Sequence, residues 1–396
     1  AGFNQLLATG AQIGSSVSLG WVDIISGDFR SGFSTVASAV ITQPLLRGAG
    51  RKVALENLTQ AQQNTLYQIR AFNRYRKEFV VSIISNYYLV LKSLDKQYKT
   101  GDNYFALFET YEKLARRANA GKVAQHELEQ ARQDQLKAMS DYSQASIDYT
   151  LALDAFKKEL ALQIDDFLEL EMDELDALRE SVIGEVNISE SEAIRLALDQ
   201  RLDLANAADQ VIDAHRKVDV AADAIRTELN LVGIADSERL DSETINEYYT
   251  LSLQLDLPVD RLFEKNNYRR ALITLMQAQR AHQELNDQVV LEVRKAYRQK
   301  QEAYERYCVE HTAWQLAQRR TENTLLLLKY NRANTRDVLD ARDDLLEAQI
   351  AETDALVDYA IACLEFYRDT GIMKIKPDGM WEKSFPTEMQ VAVFEK

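Results

Sequence analysis

The sequence repeats itself at an offset of 210 positions, the difference between 342 and 132. The pattern A-R-x-D-x-L-x-A at 131–138 returns at 341–348, and Asp148-Tyr149 returns as Asp358-Tyr359. Such self-similarity over a long span is typical of a duplicated structural unit. The chain is therefore expected to contain two copies of one supersecondary motif.

Each copy also has an internal period of seven, which predicts long helices packed on helices with supercoil. One column of larger residues and one of alanines run through each copy: Leu128, Tyr142, Tyr149, Phe156 and Ala131, Ala138, Ala145, Ala152 in the first; Val338, Leu345, Tyr359, Phe366 and Ala341, Ala348, Ala355, Ala362 in the second. An ordinary two-helix coiled coil with a small-residue seam would give the same pattern. Gly121 and Asn331 align between the copies, and both tolerate the left-handed conformation that ends a helix. We expect each copy to turn there into a helical hairpin.

Segments with period two precede each helical hairpin. In the second copy, apolar residues alternate with polar ones from Tyr249 to Leu257 before Pro258, after a less regular partner strand near 227–235. In the first copy, alternation from 12 to 21 is followed by a return strand near 32–43 that ends at Pro44. A tilted membrane strand needs about 9–11 such residues. A half-buried sheet in a soluble domain reads similarly, but four strands cannot close a barrel alone, so several chains would have to pool their strands.

Charge and composition exclude several functional classes. A net charge of −15 argues against a nucleic-acid partner. Neither a transmembrane helix nor a signal peptide is visible, so we expect the chain to start downstream of its true N-terminus. The four histidines lack metal-ligand spacing and no nucleophile–base constellation appears, which predicts no metal, no cofactor and no enzymatic activity. Cys308 and Cys363 are expected to pack as small buried groups, and whether they pair stays open.

Two segments carry a family resemblance: QPLLRGAGRKVALENLTQAQ at 43–62 and LDLPVDRLFEKNNYRRALITLMQAQ at 255–279. With the Gly121 turn and DVLDA at 337–341, they make residues 10–372 resemble the TolC-type outer-membrane efflux channel family. The resemblance implies a mainly α fold with membrane β: a duplicated β-hairpin plus coiled-coil α-hairpin that trimerises into a 12-strand barrel on a 12-helix barrel.

The same resemblance implies a function and partners. The chain would be the homotrimeric outer-membrane channel of a tripartite efflux or type I secretion system in a Gram-negative-type bacterium, with a long periplasmic extension. It would passively export small molecules or proteins, together with a periplasmic adaptor and an inner-membrane pump. The alternative is a soluble periplasmic coiled-coil scaffold or adaptor.

These expectations divide the chain into six segments. They are a first membrane β-hairpin at 1–50, a first helical hairpin at 51–160 with its turn near 121, an equatorial mixed region with helices at 161–225, a second membrane β-hairpin at 226–258, a second helical hairpin at 259–371 with its turn near 331–335, and a C-terminal tail at 372–396.

The family narrows its periplasmic end with carboxylates just after the helical turns. The matching residues are Asp337 and Asp340 in DVLDA, and Glu127 is the repeat equivalent of Asp337. Threefold symmetry would gather three copies of each acid into a ring that attracts cations. The alternative is that Asp337 and Glu127 are first-turn acids favoured by the helix dipole.

The turns supply two further sets of candidates. Ala333 stands where the family has an arginine that helps to hold the entrance shut, so the flanking Arg332 and Arg336 are the candidates for that latch. Adaptor contact is expected at Gly121, Lys122, Asn331 and Arg332, with plain solvated turns as the alternative.

Overall fold

The computed structural model describes residues 2–24, 30–121, 123–181, 188–240, 244–257, 260–330 and 332–376. Within them the strands are β1 (Gly2–Leu6), β2 (Gln12–Ile24), β3 (Arg30–Pro44), β4 (Glu228–Leu240) and β5 (Thr244–Asp256). The helices are α1 (Arg51–Ala54), α2 (Glu56–Asn119), α3 (Gln125–Glu159), α4 (Asp173–Ser181), α5 (Glu190–Gln200), α6 (Leu202–Asp223), α7 (Leu262–Lys329) and α8 (Thr335–Asp369). The chain forms two compact units, Ala1–Phe72 with Leu202–Asp287 and Asn73–Arg201 with Gln288–Lys396. No helix among the described residues has the length and apolar character needed to cross a membrane.

The first unit contains one antiparallel sheet with the strand order β1-β2-β3-β4-β5. Its register places Leu251 opposite Gly233, Gly233 opposite Ile41, and Ile41 opposite Ile13. Directly opposed residues of antiparallel strands share one face. The odd-numbered residues of the strands therefore form a single surface, here called the apolar sheet face, whose exposed members include Val17, Leu19, Ile41, Tyr249, Leu251, Leu253 and Leu255.

Strand β1 was not predicted from the sequence, whereas the four predicted strands are present as β2–β5. It pairs with Gln12–Ser16 of β2 through a tight turn in which the Leu7 N–H donates to the Ala11 carbonyl at 2.7 Å. Gly10 adopts φ +93° in this turn, and a Cβ there would lie 2.5 Å from the Gly48 carbonyl oxygen. Five residues are too few to show a period-two pattern, and main-chain pairing to an open strand edge builds this strand instead.

Helix α6 packs antiparallel to the start of α2 through polar side chains. Asp213 is almost fully buried and accepts hydrogen bonds from the Tyr67 hydroxyl at 2.7 Å and the Gln60 amide at 2.9 Å. Arg216 lies 2.8 Å from Asp213 and 3.0 Å from Glu56. Burial, followed by the Asp213 hydrogen bond, raises the pKa of Tyr67. These side chains form a charged ladder between α2 and α6, and the ladder positions α6 directly before β4.

Pro258, which was predicted to end β5, lies outside the described residues.

The second unit contains the heptad columns. Ala131, Ala138 and Ala145 are buried, and so are their repeat equivalents Ala341 and Ala355. The ring centroids of Tyr87 and Phe156 are 6.2 Å apart, and those of their repeat equivalents Tyr297 and Phe366 are 6.1 Å apart. The same aromatic contact thus forms in both copies, which confirms the predicted duplicated fold class.

The two cysteines differ in environment. Neither forms a disulfide in the described chain; Cys363 is buried as expected, whereas Cys308 is exposed. The expectation that Cys308 is buried was therefore wrong.

Candidate functional site

The two helical turns lie in the second unit. Gly121 adopts φ +70°, and its N–H donates to the Ala118 carbonyl at 2.9 Å, which ends α2 in the left-handed conformation. At the other turn, Arg332 is exposed and its N–H donates to the Leu327 carbonyl at 2.8 Å. Lys122 and Asn331 lie outside the described residues. Adaptor contact at these four positions stays a prediction.

Asp337 takes part in capping the N-terminus of α8. Its carboxylate accepts a hydrogen bond from the Asn334 N–H at 2.9 Å, while the Asn334 side chain accepts one from the Asp337 N–H, which makes a capping box. The helix-end alternative therefore describes a real local role of Asp337. The side chain is nevertheless exposed, so its charge also faces whatever lies beyond the turn.

Asp340 and Arg336 lie one helical turn apart on α8, and the guanidinium Nε is 3.7 Å from the carboxylate. Both side chains are exposed. Arg336 therefore finds its partner on its own helix, and its role in an entrance latch, like that of Arg332, stays a prediction.

Glu127 lies in the first turn of α3 and is half-buried. Its place in a pore constriction, like the places of Asp337 and Asp340, stays a prediction.

The packing of α3 against α8 reveals two acids that sequence reasoning missed. Asp134 is half-buried, and its pKa is raised chiefly by burial and then by the charge of Asp343, with a further contribution from Asp340. Lys137 lies 3.6 Å from Asp343 and partly offsets this repulsion. The only sequence signal was the repeated A-R-x-D pattern, which contains Asp134 but does not indicate its neighbours on α8.

The protonation of Asp134 should therefore make the free energy of unfolding larger at mildly acidic pH than at neutral pH. Its folded-state pKa lies above the ordinary value of 3.8, so the ionised carboxylate is unfavourable in the folded chain at neutral pH. This penalty disappears as the pH falls through the folded-state pKa towards 3.8. We expect Asp134→Asn to raise the melting temperature at pH 7 and to lose that advantage near pH 4.

The repeat equivalent of Asp134 provides the control. Asp344 accepts a hydrogen bond from Arg320, so Asp344→Asn should lower the melting temperature at pH 7 or leave it unchanged. An Asp134→Asn effect that is the same at pH 4 and pH 7 would show that the ionisation of Asp134 is not its cause.

Comparison with known proteins identifies this arrangement of strands and helices. No protein-family model matches the chain, and no curated protein matches its sequence. Among solved structures, it is similar to the CmeC outer membrane channel of Campylobacter jejuni (16% identity, 98% of this chain and 81% of that chain, TM-score 0.70). It is also similar to VceC of Vibrio cholerae (15%, 92% and 87%, 0.67) and to the MtrE outer membrane channel of Neisseria gonorrhoeae (15%, 92% and 81%, 0.70). The chain therefore has the fold of the TolC-type outer-membrane efflux channels.

Proposed function

We propose that this chain is the outer-membrane channel subunit of a tripartite efflux or type I secretion system. In this role it is a passive homotrimeric duct for small molecules or proteins and carries out no catalysis. A periplasmic adaptor meets the helical turns, and an inner-membrane pump supplies the energy. The fold shared with outer membrane channels supports the proposal.

The apolar sheet face is the observation that carries this proposal. Leu251 is 76% exposed at the middle of β5, and Tyr249, Leu253 and Leu255 continue the row on either side. Each large apolar side chain left in water forgoes about 1.5–3 kcal/mol of burial free energy. A lipid bilayer covers this row without any protein partner.

A sheet that lies in a lipid bilayer also requires the chain to form an oligomer. An open strand edge leaves main-chain N–H and C=O groups without partners, which hydrocarbon does not tolerate. Among the described strands, the outer edge of β5 is such an edge, and so is the part of β2 beyond Ser16 that β1 does not cover. Three copies of β2–β5 would give a closed barrel of twelve strands, whereas the four strands of one copy cannot form a closed barrel.

Extraction and imaging test the proposal directly. The protein purified from outer membranes should require detergent and show threefold symmetry with twelve strands in electron cryomicroscopy. A periplasmic scaffold would instead be released by buffer alone. A stable, water-soluble monomer would exclude the channel.

The carboxylates after the second turn should set ion preference. We expect Asp337→Ala combined with Asp340→Ala to lower cation selectivity in planar-bilayer recordings and to weaken block by a trivalent cation by about tenfold. The reason is that the double variant removes two exposed negative charges per subunit from the pore entrance.

Loss of the helix cap needs its own control. Asn334→Ala removes the other half of the capping box, at about 1 kcal/mol, and leaves both carboxylates in place. It should leave selectivity unchanged. If Asn334→Ala reproduces the effect of the double variant, the helix end rather than the charge is responsible.

A further inference from the structure

The second unit contains a cavity of about 420 Å³ between α2, α3 and the segment at 167–170. Small-molecule sites have volumes of about 300–1,000 Å³, so this one is large enough for a ligand. Five aromatic side chains line it: Tyr98, Phe105, Tyr142, Tyr149 and Phe167. We call it the aromatic cavity.

Gly101 shapes one wall of the aromatic cavity. Glycine is disfavoured inside a helix, yet Gly101 lies within α2 and is buried. A Cβ at this position would lie 3.1 Å from Cε2 of Tyr142, so any larger residue would push that ring away from the helix. The Tyr142 ring is also parallel to Tyr104, with centroids 6.2 Å apart and 3° between the planes. The wall is thus fixed by packing on both sides.

The polar groups of the aromatic cavity are acidic. Asp102 and Glu169 line it and are exposed, and no Lys or Arg lies among its lining residues. In the part of the chain that the structure describes, neither carboxylate makes a hydrogen bond or an ion pair. Burial raises the pKa of Tyr149, and the charge of Glu169 raises it further, which agrees with a negative potential inside the cavity. Aromatic ring faces also attract cations.

The rim exposes apolar surface that water solvates poorly. Phe167 is 89% exposed and Phe105 is 60% exposed. We propose that the aromatic cavity binds a small lipophilic organic cation, whose apolar body covers these rings and whose charge faces Asp102 and Glu169. Binding requires no flux, so this inference rests on the membrane oligomer of the proposed function but not on transport itself.

Calorimetric titration of the purified oligomer in lipid nanodiscs tests the proposal, with empty nanodiscs as the blank. The probe is tetraphenylphosphonium, and tetraphenylborate has the same shape with the opposite charge. We expect saturable binding of one phosphonium per chain and no saturable binding of the borate. Asp102→Asn with Glu169→Gln should weaken phosphonium binding by about tenfold, and Phe167→Ala, in an exposed segment, should also weaken it.

A matched pair of exposed acids outside the cavity provides the control. Glu129→Gln with Glu180→Gln removes the same charge and should leave the affinity unchanged. Equal binding of phosphonium and borate would overturn the proposal, since apolar contact alone would then suffice. The absence of saturable binding would also overturn it and would mean that a neighbouring subunit covers the cavity. An equal loss of phosphonium affinity in the control variant would overturn it as well.

Discussion

Leu251→Arg is expected to prevent stable assembly of the protein in the outer membrane, whereas Ser252→Arg at the adjacent position should be tolerated. Leu251 lies at the middle of β5 on the apolar sheet face, opposite Gly233. Ser252 lies on the other face, opposite Val232. An arginine at the bilayer midplane of a β-barrel costs about 2–4 kcal/mol, and a trimer would incur this cost three times.

Membrane fractionation and unheated gel electrophoresis would measure this difference. The wild-type protein and Ser252→Arg should run as detergent-resistant trimers from the membrane fraction, and Leu251→Arg should be degraded or remain in the soluble fraction. The opposite result would mean that the two faces of the sheet are exchanged. Tolerance of both substitutions would mean that the sheet does not lie in lipid.

The sequence predicted those helices and strands that are long enough to show their side-chain period several times. Alternation from Tyr249 to Leu257 identifies β5, and the alanine columns identify the helices that pack in the second unit. Gly121 marks its turn because the left-handed conformation favours glycine. These signals are local, so one sequence is enough to read them.

Features that depend on packing between distant segments could not be predicted. β1 exists because β2 offers it an edge, and the α2–α6 ladder requires Asp213 to meet Tyr67 across the fold. Asp134 acquires its raised pKa from burial and from Asp343, a residue of the other copy. No pattern within either segment records such a neighbour.

The capping box is an intermediate case. Asn334 followed three residues later by Asp337 is a recognisable helix-start signal, and it could have been identified from the sequence. The family resemblance drew attention to the charge of Asp337 instead. The structure shows that one carboxylate serves the helix end while remaining exposed.

Arg179→Leu is expected to destabilise the packing of α4 on α8 by about 3–5 kcal/mol, because it leaves a buried carboxylate without its main partner. Glu352 is only 2% exposed. Arg179 donates to both of its oxygens, at 3.2 and 3.0 Å, and the His311 ring nitrogen at 3.4 Å is a weaker neighbour. Replacing both charged partners by leucine removes the unpaired charge, so Arg179→Leu with Glu352→Leu should recover most of the loss.

Trp314 can report this loss locally, since its ring lies 5.4 Å from that of His311. Urea unfolding followed by Trp314 fluorescence, with Trp21 and Trp381 replaced by phenylalanine, would measure the free energy near the ion pair. Arg294→Leu is the matched control, because its bridge to Glu190 at 3.2 Å is exposed and contributes at most about 1 kcal/mol. If the double leucine variant proves less stable than Arg179→Leu alone, shape complementarity rather than an unpaired charge holds α4 against α8.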